Sequence, residues 1–218
     1  MTSTTPNPAH VAAAPPAYQL PQRVTQARVL RSEWTKLRTQ PSVIWSLLAT
    51  TILIAGFGIV YSLVRETRPP HGAAIASFDP AAVSLSGVQL AQIAVGVLGV
   101  LLVTSEYATG LIRSTLAAVP RRLPVLWGKA ALAVAATLGA SLPAVFVAFV
   151  AGQSILARAH LSVPLSDPGV VRAVAGGALY LAVAALIGLG LGGLLRSTAG
   201  GIAALFGLAA LRMRRGDV

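Results

Sequence analysis

The side chains able to do chemistry are few and widely spread. The 218 residues hold three histidines, His10, His71 and His160, each isolated from the others. The six acids, Glu33, Glu66, Asp79, Glu106, Asp167 and Asp217, include no pair close in sequence. A metal site needs three or four such groups to converge, and this spacing offers no convergence. Cysteine is absent, so no disulfide framework and no thiolate ligand can form. Gly128-Lys129 is followed by Ala130 and lacks the upstream glycine. It is therefore not the phosphate-cradling G-x-x-x-x-G-K-[ST] loop. The sequence predicts no catalytic residue, no metal site and no cofactor site. Any ATP hydrolysis belongs to another polypeptide.

The charge that remains is concentrated in Ser105–Lys129, the longest polar interruption between two apolar runs. It carries Glu106, Arg113, Arg121, Arg122 and Lys129. Gly110 loosens its start. Ile112, Leu116 and Val119 fall at i, i+4 and i+7 and share one helical face. Pro120 ends the helix, because the residue before a proline is pushed out of the α region. Two readings follow: an interfacial loop whose charge sets topology, or a helix that docks a cytoplasmic partner.

The elements that hold this stretch are apolar. Hydrophobic residues make up 55% of the chain and charged residues only 11%, with mean hydropathy +0.75. A soluble domain carries about 25% charged residues. The fold class is therefore an all-α integral membrane protein. The formal net charge of +11 flanks apolar runs instead of decorating a polar folded unit, so no nucleic-acid partner is expected. Residues 1–22 are rich in Thr, Ala and Pro without charge, and predict a disordered tail. In residues 23–40, Ala27, Leu30, Trp34 and Leu37 lie in a narrow helical arc flanked by Arg31 and Arg38. That arc predicts a helix lying in the bilayer interface.

Four runs suit the ~20 residues a bilayer core requires: 42–64, 82–104, 125–151 and 170–195. Proline-containing loops at 65–81 and 152–169 should be irregular. Pro143 should kink the third span, with Ser141 helping to re-satisfy the freed carbonyl. Lys129 should snorkel to the surface. In the second span Gln89, Gln92, Gly96, Gly99, Val103 and Glu106 share one side. Polar groups avoid lipid, so this side is either a packing face or a cargo-lining face. Gly188-x-x-x-Gly192 in the fourth span is a close-packing motif. A fifth run, 198–211, is short for a span, and residues 212–218 form a basic tail.

Charge orients the chain. Residues 23–41 carry five basic groups against Glu33, a net +4. Residues 105–129 carry four against Glu106, a net +3, while both intervening loops are neutral. The positive-inside rule places the N-terminus, Ser105–Lys129 and Arg196 in the cytoplasm. A crossing fifth run would put Arg212, Arg214 and Arg215 outside. The expectation is instead that it re-enters or lies at the cytoplasmic interface.

With these residues in view, the chain resembles the type-2 ATP-binding-cassette transporter permeases. The likeness rests on Glu106, Gly110, Leu116, Pro120, Arg121 and Gly128-Lys129 after the second span. The phrases SEWTKLRT (Ser32–Thr39) and SEYATGLIRSTLAAVPRR (Ser105–Arg122) resemble actinobacterial members more narrowly. It covers most of residues 24–207. The resemblance implies the permease subunit of an exporter in the cell membrane, with a permease domain over 23–211. It implies two kinds of protein partner: an ATPase subunit that binds ATP and Mg, and a second permease copy or a homologue. It assigns ATPase coupling to Glu106, Gly110, Ile112, Arg113, Leu116, Pro120, Arg121 and Arg122, and an interfacial helix to the region before the first span. Resembling permeases continue through full fifth and sixth spans, and this chain departs from them at about residue 209. A truncated or frame-shifted end is expected, with a native short end as the alternative. The competing functions are a non-transporting membrane scaffold or an inactive permease remnant. A membrane-embedded enzyme would need clustered Asp or His.

Overall fold

The computed structural model describes residues 35, 39–75, 77–108 and 122–216. The interfacial helix expected over 23–40 lies largely outside these residues, as does most of the coupling segment. The described chain is helical, with long apolar helices suited to crossing a bilayer and one shorter apolar helix. It is an all-α, multi-pass membrane protein.

Helix α1 spans Pro41–Thr67. Pro41 starts it well, since the first turn has no use for its missing N–H. The sequence placed its end at Val64. The structure carries it one turn further, where Arg65 lies 5.1 Å over the Tyr61 ring and donates to the Tyr61 hydroxyl at 2.7 Å. Pro69 then stops it, through the restriction a proline puts on Arg68. The hydroxyls of Ser46, Thr50, Thr51 and Ser62 each bond the carbonyl four residues back. Those bonds make polar side chains tolerable inside an apolar span.

The second span differs from its expected 82–104. Asp79 caps a separate short helix, α2 (Pro80–Ser84), accepting from the amides of Ala81 at 2.9 Å and Ala82 at 3.1 Å. The chain turns at Leu85-Ser86, and α3 runs Gly87–Ala108. The break has a local cause: a carboxylate cap followed by Pro80 starts a helix before the span proper. Gly87 then lets α3 begin against the α1 backbone, where a Cβ would overlap the carbonyls of Leu53 and Ile54.

Helix α4 (Arg122–Leu156, 35 residues) exceeds the expected 125–151. At 1.5 Å per residue it is about 52 Å long, well beyond a ~30 Å hydrocarbon core. It continues unbroken through Pro143. Ser141 Oγ is buried and makes no hydrogen bond, so the compensation expected from it is not formed. Helix α5 (Val170–Leu195) matches its expected bounds. Gly169 precedes it at φ +91°, and Arg196 ends it in the left-handed region at φ 49°.

The long helices alternate in direction along the chain, so α3 runs parallel to α5 and α1 parallel to α4. Helices α1, α3, α5 and α4 form a ring in that order, with α3 and α4 barely touching across it. Ile54, Val95, Val145 and Leu181 are buried at its centre. Val43, Leu98, Leu132 and Leu189 fill the end near Gln40. The opposite end is drawn together by Gln153. Its amide nitrogen donates to the Pro80 carbonyl and to Ser84 Oγ, both at 3.0 Å, and its oxygen accepts from the Val163 amide at 2.9 Å. The 65–81 and 152–169 segments are thus less irregular than their prolines suggested.

Helix α6 (Thr198–Gly216) extends past the 198–211 run. It does not lie flat at an interface. Thr198 Oγ1 donates to Thr104 Oγ1 at 2.9 Å, Gly201 packs on Val100, and Leu205 covers Gly96. Leu208 reaches the level of Gln92. The helix therefore climbs antiparallel along α3, away from the Gln40 end. Its last eight residues add about 12 Å, enough to reach the level where α3 begins.

Two outcomes test this arrangement. Gln153→Leu strands the Val163 amide and removes the donor to Ser84 Oγ, which keeps its own bond to the Pro80 carbonyl. The expected loss is about 1–3 kcal/mol in unfolding, with faster hydrogen exchange at Val163. Because the chain lacks cysteine, single cysteines report sidedness directly. Gly216→Cys should react with an impermeant maleimide from the same face as Gly72→Cys, and Thr39→Cys from the other. Reaction of 216 with the Thr39 face contradicts the climb of α6.

Candidate functional site

Two regions emerge from the residues singled out by spacing. The first is the Gln40 end, where the 105–129 segment joins the bundle. Gly110, Ile112, Arg113, Leu116, Pro120 and Arg121 lie outside the described residues. Glu106 falls in α3 and Arg122 opens α4, with side chains outside the described set. The flanks of the segment are well placed. Gln40 Nε2, at the start of α1, donates to Ser105 Oγ at 3.2 Å. Lys129 is only 6% exposed, and its Nζ donates to the Leu102 carbonyl at 3.4 Å. The snorkelling expected of Lys129 is thus corrected. Helix α4 begins at Arg122, about two turns earlier, and Lys129 shares the inward face of Leu132 and Ala133. A buried ammonium is costly without polar partners, and the bond to α3 supplies one.

The second region is the polar and small stripe on α3. The structure divides it. Gly99 faces α5 so closely that a Cβ there would overlap the Ala185 carbonyl oxygen, and a Cβ on Gly188 would overlap that of Gly96. A Cβ on Gly192 would stand 2.9 Å from the Val100 carbonyl oxygen. Val103 is buried beside Leu189 in the same cluster. Gly96, Gly99 and Val103 are therefore contact positions between helices. Gly188 and Gly192, the close-packing pair read from sequence, supply the other half of the contact.

The upper part of the stripe is different. Gln92 is half-buried, and its side-chain oxygen accepts a hydrogen bond from the Tyr180 hydroxyl of α5. Gln89 is exposed, in a groove of about 320 Å³ between α2, α3 and α5. Sequence reasoning missed Tyr180 and Gln153. Each carries a signal in retrospect: Tyr180 is an aromatic hydroxyl within a run of Gly, Ala, Val and Leu, and Gln153 is an amide at the end of an apolar run.

Among the described residues no three His, Asp or Glu side chains come together as a metal site. What the arrangement offers chemically is hydrogen bonding inside a membrane-spanning bundle and close backbone contact. Comparison of the chain with protein families, with curated protein sequences and with solved structures gave no match.

The contact between α3 and α5 predicts a sharp contrast. Gly188→Ala forces the helices apart and should cost about 1–3 kcal/mol, the usual penalty of overpacking. Gly190→Ala, whose Cβ would meet nothing within 4 Å, should leave the thermal midpoint unchanged or slightly raised. Equal effects at the two positions contradict the close approach.

Proposed function

We propose that this chain is the transmembrane permease subunit of an ATP-binding-cassette exporter. It works in the cell membrane with its N-terminus cytoplasmic. A separate ATPase binds ATP and Mg, and a second permease copy or a homologue completes the translocator. The chain itself is not an enzyme. The motif on Glu106, Gly110, Leu116, Pro120 and Arg121 suggests the family, and one structural observation supports the mechanism. Both flanks of the segment are tied to the bundle by polar contacts, Ser105 to Gln40 of α1 and Lys129 to Leu102 of α3.

The mechanical consequence is direct. The 109–119 helix seats its Ile112, Leu116 and Val119 face in a groove of the ATPase. Closure of the ATPases pushes that helix, and the push passes to α3 and α4 with little slack. Helix α3 is locked to α5 along the glycine contact and carries α6 with it. Helices α1 and α4 pack along each other as the other half of the ring. The two halves also pack on each other, α1 against α3 and α4 against α5, so a push on α3 and α4 is passed to the whole ring. Glu106 anchors the start of the pushed helix, Gly110 permits the turn, and Arg121 and Arg122 hold headgroups or acidic ATPase residues.

Co-purification in mild detergent with the ATPase encoded beside this chain is the test. The wild-type chain should retain the ATPase, and Ile112→Asp with Leu116→Asp should release at least about 90% of it, because two charges enter an apolar contact. Glu106→Ala with Gly110→Val should keep the pair together while removing stimulation of ATP hydrolysis. A well-folded wild-type chain that never binds the ATPase overturns the proposal. Binding without stimulation points to the non-transporting scaffold.

A further inference from the structure

Helix α6 carries positive charge to an end of the bundle where the loops are neutral. Its bundle-facing side is set by Gly201 against Val100 and by Leu205 over Gly96. Leu208, on that side, lines an apolar cavity of about 160 Å³ with Ile93, Val183 and Ile187. At about 100° per residue, Arg212 and Arg215 continue the same face one and two turns past Leu208, whereas Arg214 falls on the opposite face. Their α-carbons stand about 6 Å and about 10 Å beyond that of Leu208. Leu208 shares the level of Gln92, so Arg212 is level with Gln89, and Arg215 with the start of α3. There the groove of about 320 Å³ opens, lined by Ala82, Gln89, Ala173 and Gly176. Arg172, exposed at the start of α5, stands one turn before Gly176. Tyr180 lines both the groove and the apolar cavity, so the two adjoin along its ring. None of the described residues lining either one is acidic.

The charge stands against the bias of the rest of the chain. The 105–129 segment, net +3, joins the bundle at the other end, and the 65–81 and 152–169 loops at this end sum to zero. Basic residues set against the bias that orients a membrane protein are favourable where a fixed anion meets them. Arginine suits a phosphate best, because its planar fork bonds two oxygens at once. Cations at the bilayer surface with an apolar cavity deeper between the helices match a headgroup and an acyl chain. We infer that the edge shared by α3, α5 and α6 binds one anionic phospholipid in the leaflet on the Gln153 side. Arg212 and Arg215 of α6, with Arg172 of α5, hold its phosphate. Gln89 meets the polar neck of the lipid, and an acyl chain passes Tyr180 into the cavity against Leu205 and Leu208. The site does not depend on coupling to an ATPase, so its test contains none and its failure leaves the transport proposal standing.

The full chain is purified and reconstituted in phosphatidylcholine nanodiscs with a rising fraction of phosphatidylglycerol. Native mass spectrometry then reads the lipid retained and the fraction that gives half occupancy. The wild-type chain should keep one phosphatidylglycerol in preference to phosphatidylcholine. Arg212→Gln and Arg215→Gln should each raise the half-occupancy point roughly fivefold, the worth of one basic residue at an anionic surface. Arg214→Gln, on the opposite face, should change it less than about twofold on the same reasoning. Ala184→Phe, which fills the apolar cavity, should weaken retention with every arginine in place. Equal retention of phosphatidylcholine overturns the inference. Equal effects at 212, 214 and 215 also overturn it, since they mean diffuse surface charge. Release of the lipid by millimolar glycerol 3-phosphate overturns it in favour of a phosphate site that does not use the chain. A lowered thermal midpoint of Arg212→Gln with Arg215→Gln in phosphatidylcholine alone overturns it too, because the arginines then pair within the protein.

Discussion

The close approach of α3 and α5 is the constraint on which the bundle depends. Inside a bilayer, lipid tails are as apolar as leucine, so helices gain little by hiding apolar surface from their surroundings. What holds them is dense contact, and dense contact requires small residues. Gly96, Gly99 and Val100 meet Gly188, Ala185 and Gly192 in turn, with no room for a β-carbon at the tightest points. Once α3 and α5 are joined, their shared edge forms the surface that receives α6, with Leu205 over Gly96 and Gly201 against Val100. The same helix pair sets the wall on which Tyr180 finds Gln92. The remaining ring is completed by α1 and α4, where Gly58 lies opposite Ala148 and is pressed against the Ser84 carbonyl of α2.

The polar bonds between Gln153, Gln40, Lys129, Thr198 and their partners lie toward the two ends of this apolar frame, and they fasten it there. At one end Gln153 satisfies both the donor and the acceptor of its amide against α2 and the 163 strand of backbone. At the other, Gln40 meets Ser105, Lys129 meets Leu102, and Thr198 meets Thr104. All but the Gln153–Val163 bond join residues far apart in sequence. A buried polar group in a membrane protein must find such a partner, so these few side chains fix register where shape alone leaves helices free to slide. The end that holds Lys129 is also the end where the 105–129 segment enters, which is why a load applied there would reach the interior.

The fold was largely legible. Span α5 was read to its bounds because its apolar run is continuous and bordered by turn-forming residues, and α1 to within a turn because Pro41 and Pro69 bracket it. The start of the second span was misread because hydropathy does not register a cap: Asp79 and Pro80 begin a helix that the apolar run alone joins to α3. Lys129 was assigned to the surface because the helix containing it was thought to start at 125. A start at 122 rotates nothing, but it sets Lys129 deeper, on the face of Leu132. The fate of the α3 stripe was legible in part. Spacing placed Gln89, Gln92, Gly96, Gly99 and Val103 on one side. Only the tertiary structure shows that this side meets α5 and α6 below and a groove above. The length of α6 was hidden because its last turn is basic, and apolarity was the guide.

The most direct test of this account leaves the chain unaltered. Gly96 Cα stands 3.1 Å from the position a Gly188 β-carbon would take, so the two α-carbons are near neighbours. Solid-state NMR of chain labelled at glycine Cα, in lipid bilayers, reads that proximity directly. The account predicts a strong through-space contact between the α-carbons of Gly96 and Gly188. A folded, helical chain with no such contact would mean that α3 and α5 do not meet along their glycines, and the order of the bundle derived from that meeting would be wrong.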